Sequence, residues 1–91
     1  MQFMASITFD PADRAEIERR VPEEQTRVRE LQHRGMLNDL YIPDGAGAPA
    51  NLWVIFEGDS QADVQQVLES LPLYPYMRVE IVPLRRLEAR A

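Results

Sequence analysis

Glu24 stands in the middle of an otherwise apolar helical stripe. Along the segment from Asp10 to Gly35, Ile17, Val21, Val28 and Leu31 recur at steps of four, three, four and three only when Glu24 is counted among them. The spacing therefore aims a carboxylate at the core. Burial disfavours the charged form of a carboxyl group and raises its proton affinity, the property required of a group that exchanges protons near neutral pH. The plainer alternatives are a Glu24 tilted to the rim, or one paired with Arg20 or Arg27, because structural ion pairs also place carboxylates at such positions.

The elements that must carry this residue follow from periodicity. Residues 2 to 9 alternate, with Phe3, Ile7 and Phe9 on one side and Gln2, Ser6 and Thr8 on the other, which predicts a first strand. Asp10 then caps a helix, with Pro11 at its first position and Asp13 adding negative charge to the first turn. Gly35, following His33 and Arg34, suits the residue just past the helix end. Pro22 lies inside this pattern and must either kink one long helix or start a second one; one kinked helix is the favoured reading.

A second strand is expected from Met36 to Ile42. The segment Pro43 to Pro49 is a turn-rich connection, the only loop with enough glycine to act as a mobile lid, although an ordinary hairpin loop is the simpler reading. Asn51 to Glu57 predicts a third strand that is apolar on both sides, Leu52, Val54 and Phe56 on one and Trp53 and Ile55 on the other, hence central and covered twice. Ser60, with Asp63 three residues later, opens a second helix that buries Ala62, Val64, Val67, Leu68 and Leu71 and ends at Pro72. Met77 to Val82 is a fourth strand, which Arg78 and Glu80 mark as an edge.

The order β-α-β-β-α-β is that of a ferredoxin-like α+β domain, an antiparallel sheet with both helices on one face. At 91 residues the chain predicts a single domain over residues 1–91, small enough that one sheet face stays uncovered. Large apolar groups lie on both faces of the third strand, so a second copy packed sheet on sheet is the expected cover. There is no cysteine, which excludes disulfides and thiolate metal sites and fits a reducing cytoplasm. The chain holds no apolar run of membrane-spanning length, and its first ten residues read as a strand rather than a signal peptide, so no membrane partner is expected. Fifteen acidic residues oppose ten basic ones, all arginine, for a net charge of −5, which argues against a nucleic-acid partner. Arg85, Arg86 and Arg90 form only a short basic tail, expected to be solvated.

Leu71-Pro72-Leu73-Tyr74-Pro75-Tyr76-Met77, running into Arg78-Val79-Glu80-Ile81, resembles the C-terminal signature of the muconolactone Δ-isomerase family. The similarity extends to Glu30-Leu31-Gln32-His33-Arg34-Gly35, to Ala50-Asn51 and to Glu24 within a Glu-Glu pair, and covers roughly residues 20 to 87. This resemblance implies a dimeric α+β barrel, homo-oligomers that grow as large as decamers, and cofactor-independent movement of a double bond in a small unsaturated lactone. One departure stands out. Members acting on muconolactone look like H-L-W-R along the second strand, where this chain has Asp39-Leu40-Tyr41-Ile42. An acidic and apolar wall in place of a cationic one points to a substrate other than muconolactone, in a natural-product pathway rather than aromatic catabolism.

Shifting a carbon–carbon double bond beside a carbonyl requires one group to take a proton, donors to stabilise the enolate, and return of the proton at another carbon. Glu24 is the candidate shuttle, and Tyr76, Tyr41 and His33 are candidate donors in falling order. His33, the only histidine, also suits a solvated helix end. Pro72 and Pro75 are expected to hold Leu73 and Tyr74 extended and so to aim the Tyr74 and Tyr76 phenols into an apolar pocket, although core packing would account for either ring. Trp53, Tyr74 and Asp39 are candidate substrate contacts. No carboxylate cluster shows metal-ligand spacing, and no phosphate loop, dinucleotide fingerprint or nucleophile elbow is present. Two other readings share this fold: a cofactor-free monooxygenase or polyketide cyclase, for which Trp53 would suit a flat aromatic substrate, and a non-enzymatic ligand-binding module in which Glu24 merely pairs with an arginine.

Overall fold

Strand alternation and two helical stripes build a four-stranded sheet covered on one face, as seen in a computed structural model that describes residues 1–45 and 50–88. The strands are β1 (Gln2–Phe9), β2 (Leu37–Tyr41), β3 (Asn51–Glu57) and β4 (Met77–Leu84), in spatial order β2-β3-β1-β4 with every neighbouring pair antiparallel. The helices are α1 (Arg14–His33) and α2 (Gln61–Glu69). The doubly apolar β3 is central and β4 is an edge, as the side-chain patterns require.

The register decides which side chains share a face. Phe3 lies opposite Phe56, Ala5 opposite Val54 and Ile81, and Ile7 opposite Leu52 and Val79. These residues form the core with Leu31 of α1 and Val64 and Leu68 of α2. The other face carries Met4 opposite Ile55 and Val82, Ser6 opposite Trp53 and Glu80, and Tyr41 opposite Trp53. In the described residues nothing covers that second face: Tyr41 and Val82 are 56% and 44% exposed.

β2 departs from strict alternation in a useful way. Its register with β3 shifts between Leu37 and Asp39, so Asn38 is an extra residue. Without that bulge Leu37 and Leu40, three apart, would point to opposite faces; with it both lie on the helix side, opposite Phe56 and Val54.

The helix ends are chemically explicit. Asp10 accepts the Ala12 N–H at 2.9 Å, but over Pro11–Asp13 it caps a 3-10 turn, and α1 proper starts only at Arg14. At the other end Gly35 adopts φ +72°, its N–H donating to Gln32 and that of Met36 donating to Leu31, a left-handed closure open to glycine without side-chain strain. Pro22 lies within one continuous helix rather than dividing two, and Thr26 Oγ1 donates to its carbonyl at 3.1 Å. Ser60 caps α2 by accepting the Asp63 N–H at 3.2 Å.

Three expectations need correction. Ala62 is exposed rather than buried, because the inward stripe of the short α2 is filled by Val64 and Leu68. β4 runs two residues further than expected, to Leu84, since Pro83 is tolerated on an edge strand. Leu73 and Tyr74 are coiled rather than extended: Leu73 sits at φ −85°, ψ −3° and Tyr74–Tyr76 form a 3-10 turn. Burial of both Leu71 and Leu73 draws that segment inward and closes it on itself. Of the connection from Pro43 to Pro49 expected as a lid or hairpin loop, residues 46–49 lie outside the described residues, as does Arg90 of the basic tail.

Candidate functional site

Between α1 and the helix-side face of the sheet lies an open cavity of about 730 Å³. That volume is within the range of small-molecule sites. Its sheet wall is entirely apolar: Ile7 and Phe9 from β1, Leu37 and Leu40 from β2, and Leu52, Val54 and Phe56 from β3, completed by Leu71, Leu73 and Met77. The bulge at Asn38 is what brings Leu37 and Leu40 to this wall together. The helix wall holds Ile17, Val21 and Val28, and among them Glu24.

Glu24 is half-buried and faces the turn before β4, where its Oε1 accepts the Leu73 backbone N–H at 3.1 Å. Burial pushes its proton affinity above that of an ordinary carboxylate, and the Leu73 hydrogen bond partly opposes the rise. The ion-pair alternatives are otherwise engaged or distant: Arg27 binds Glu30 at 2.8 Å and Ser70 Oγ at 2.9 Å, and Arg20 lies over the Tyr76 ring, 5.8 Å from its centroid. Among the described residues Glu24 has no cationic partner.

Within one chain, Glu24 alone of the seven sequence candidates lines the cavity. Tyr76 packs beneath Arg20, and the Tyr74 hydroxyl accepts a hydrogen bond from Gln65 at 2.9 Å while its ring rests on the core. His33 is exposed at the end of α1. Asp39, Tyr41 and Trp53 share the opposite sheet face, since strand parity sets them against Leu40, Leu52 and Val54.

Polar groups that the sequence reading passed over do reach the rim. Arg14, Glu18, Gln25, Arg29 and Gln32 all border the cavity, with Asp10 at its mouth. Their signal was present in the helix pattern: Glu18, Gln25, Arg29 and Gln32 each follow a residue of the apolar stripe by one position, the flank that a helix presents beside its buried face. Arg14 and Glu18 neutralise each other at 3.0 Å. Gln25, Arg29 and Gln32 thus bring N–H donors to an apolar chamber that contains one carboxyl group of raised proton affinity.

Comparison with known proteins decides the lineage. A family model described as muconolactone delta-isomerase matches residues 1–89. The chain belongs to the muconolactone delta-isomerase family. It is 35% identical over 63 residues to the muconolactone delta-isomerase of Cupriavidus pinatubonensis, and 31% identical over 78 residues to that of Rhodococcus opacus. These matches cover 69% and 86% of this chain, and 65% and 77% of those relatives. A 32% match to the Acinetobacter baylyi protein covers 62% of its length, so the chain spans slightly under two thirds of two of these family members. A muconolactone isomerase crystal structure superposes with TM-score 0.72 at 26% identity, over 99% of this chain and 94% of that one. A 5-chloro-2-hydroxyhydroquinone dehydrochlorinase from Burkholderia phenoliruptrix AC1100 superposes with TM-score 0.77 over 93% of this chain and 94% of that one, at 14% identity, a likeness of fold. No helix among the described residues is long and apolar enough to cross a membrane.

Proposed function

We propose that this family member is a cofactor-independent isomerase that moves a double bond in a small, mostly apolar unsaturated carbonyl compound or lactone, with Glu24 as the proton shuttle. The observation that carries the reading is a carboxyl group of raised proton affinity set into the wall of a largely apolar cavity. A substrate C–H bond breaks as Glu24 takes the proton, and the electron pair moves to the carbonyl oxygen as a dienolate. The N–H donors of Gln25, Arg29 and Gln32 are available to that oxygen, and the same carboxyl group returns the proton at a second carbon.

The substrate is not muconolactone itself, and a biosynthetic role fits better than aromatic catabolism. Of the divergent segment Asp39-Leu40-Tyr41-Ile42, only Leu40 reaches the cavity, so β2 offers no charge to a substrate carboxylate there. The chain acts as one domain over residues 1–91, in the cytoplasm, as a homodimer or a larger assembly up to a decamer. Support for the assembly is the open sheet face, where Trp53, Ile55, Met4, Tyr41 and Val82 form an apolar patch that a second copy would cover.

Two probes test the activity: α-angelica lactone, an uncharged unsaturated lactone, and muconolactone, which carries a carboxylate. Isomerisation and solvent-deuterium uptake are expected to favour the uncharged probe. Turnover of muconolactone with kcat on the order of 10 per second or more would overturn the substrate assignment. Unchanged turnover in Glu24→Gln would overturn the shuttle.

A further inference from the structure

The Glu24 carboxyl group is held by one oxygen only. Oε1 takes the Leu73 N–H at 3.1 Å, whereas Oε2 meets no hydrogen-bond donor among the described residues. No unpartnered side-chain oxygen is sealed away from solvent among the described residues, so Oε2 is accessible, on a residue that lines the cavity.

The donor is built to hold still. Pro72 and Leu73 occupy the two central positions of a turn that Tyr74 closes by donating its N–H to the Leu71 carbonyl at 3.0 Å, and the Leu73 torsions of −85° and −3° are those of a type I turn. Proline at the first central position removes a backbone freedom in advance. The Leu73 carbonyl accepts the Tyr76 N–H at 2.9 Å, and the Leu71 and Leu73 side chains are only 5% and 6% exposed. Gln65 ties the Tyr74 phenol to α2 at 2.9 Å. With both sides of the peptide fixed, the Leu73 N–H has a single direction.

We propose that the Leu73 backbone N–H is a positioning group for proton transfer: it immobilises Oε1 and thereby reserves Oε2 as the oxygen that takes the substrate proton and gives it back. This rests on the reading of Glu24 as the shuttle. A carboxylate free to rotate would present either oxygen in many orientations; anchoring one lone pair leaves the second oxygen at one distance from the bound carbon acid. The same hydrogen bond favours the charged form and so restrains the rise in proton affinity that burial produces. Other charges on the cavity wall are Arg14, Glu18 and Arg29 on α1 itself and Asp10 just before it, while the strands and the Leu71 to Tyr76 turn contribute none.

The test removes that one hydrogen atom. Leu73→leucic acid, the α-hydroxy acid with the same side chain, replaces the N–H with an ester oxygen and leaves the cavity wall unchanged. As a control, the α-hydroxy analogue of tyrosine at position 76 deletes the neighbouring turn bond without touching Glu24. Two readouts are taken: the carbon-13 titration of the Glu24 carboxyl, and the pH profile of deuterium uptake by α-angelica lactone. In the Leu73 ester the Glu24 midpoint and the acidic limb of the profile are expected to rise together by roughly one pH unit. Both should stay in place in the position 76 ester, which leaves the Leu73 side chain and N–H intact. A midpoint unmoved in the Leu73 ester overturns the proposal without any need for turnover, and so does a midpoint that moves while the profile does not. Full deuterium uptake in Glu24→Gln removes the shuttle reading itself, an outcome distinct from a Leu73 ester that titrates like the parent.

Discussion

The two faces of β3 look alike in composition and differ in what surrounds them. On the helix side Val54 and Phe56 are sealed at 3% and 1% exposure, and the wall they form ends in a chamber with a half-buried carboxyl group. On the other side Trp53 and Ile55 are flanked by Tyr41, Met4 and Val82, with Asp39, Arg78 and Glu80 at the margins and no covering element among the described residues. The contrast teaches that apolar content alone does not mark a reaction site. An open cavity holding an ionisable group is why one face is proposed for proton chemistry, and the other is proposed for assembly.

The division can be broken most sharply at Glu24. Glu24→Gln keeps the shape and loses the titrating proton, so isomerisation of α-angelica lactone should fall by about 10²- to 10⁴-fold while the circular dichroism of the fold is retained. Next in size is the core of the same face: Phe56→Ala should lower unfolding free energy by about 3–5 kcal/mol in urea titrations, since it opens a void among fully buried neighbours. On the open face, Ile55→Asp should leave the chain folded but reduce its sedimenting mass; a variant of unchanged mass would locate any assembly elsewhere. A subtler measure is the pH dependence of stability. Because folding raises the Glu24 pKa above its ordinary value of 4.5, its acid form is favoured in the native state. Its contribution is therefore fully present below the unfolded pKa and is lost as pH rises through the folded one. Glu24→Gln should match the parent in strongly acidic solution and gain on it across that window. Smallest of all is Tyr41→Phe, expected to change turnover by less than about threefold because the hydroxyl faces away from the cavity. A loss of a hundredfold would show that a second copy brings this phenol into the chamber.

Much of the frame was legible where a single residue type has few places to go. Both ends of β3, the glycine after α1, the serine before α2 and the edge character of β4 follow from local chemistry, and the inward position of Glu24 follows from helical spacing. The remainder of the candidate site was not legible. Parity shows that Trp53 and Leu52 point apart, but only the packing of α1 and α2 reveals which of them meets the helices. The bulge at Asn38 carries no strong residue signal, and it moves Leu40 to the cavity while sending Asp39 and Tyr41 away. The turn at Leu73 depends on the burial of two leucines against distant elements, which the flanking prolines, suggestive by themselves of an extended chain, do not reveal.

Pro22 gives α1 unequal halves. The residues after it include Leu31, the helix's one fully buried side chain, whereas those before it rest on the half-buried Ile17 and Val21 and on a ladder from which one backbone donor is missing. Amide protons of the leading half should therefore exchange with solvent sooner than those near Leu31, because peeling that half away uncovers little apolar surface. The leading half of α1, which supplies Ile17 and Val21 to the chamber wall, is thus the less firmly held of its two halves.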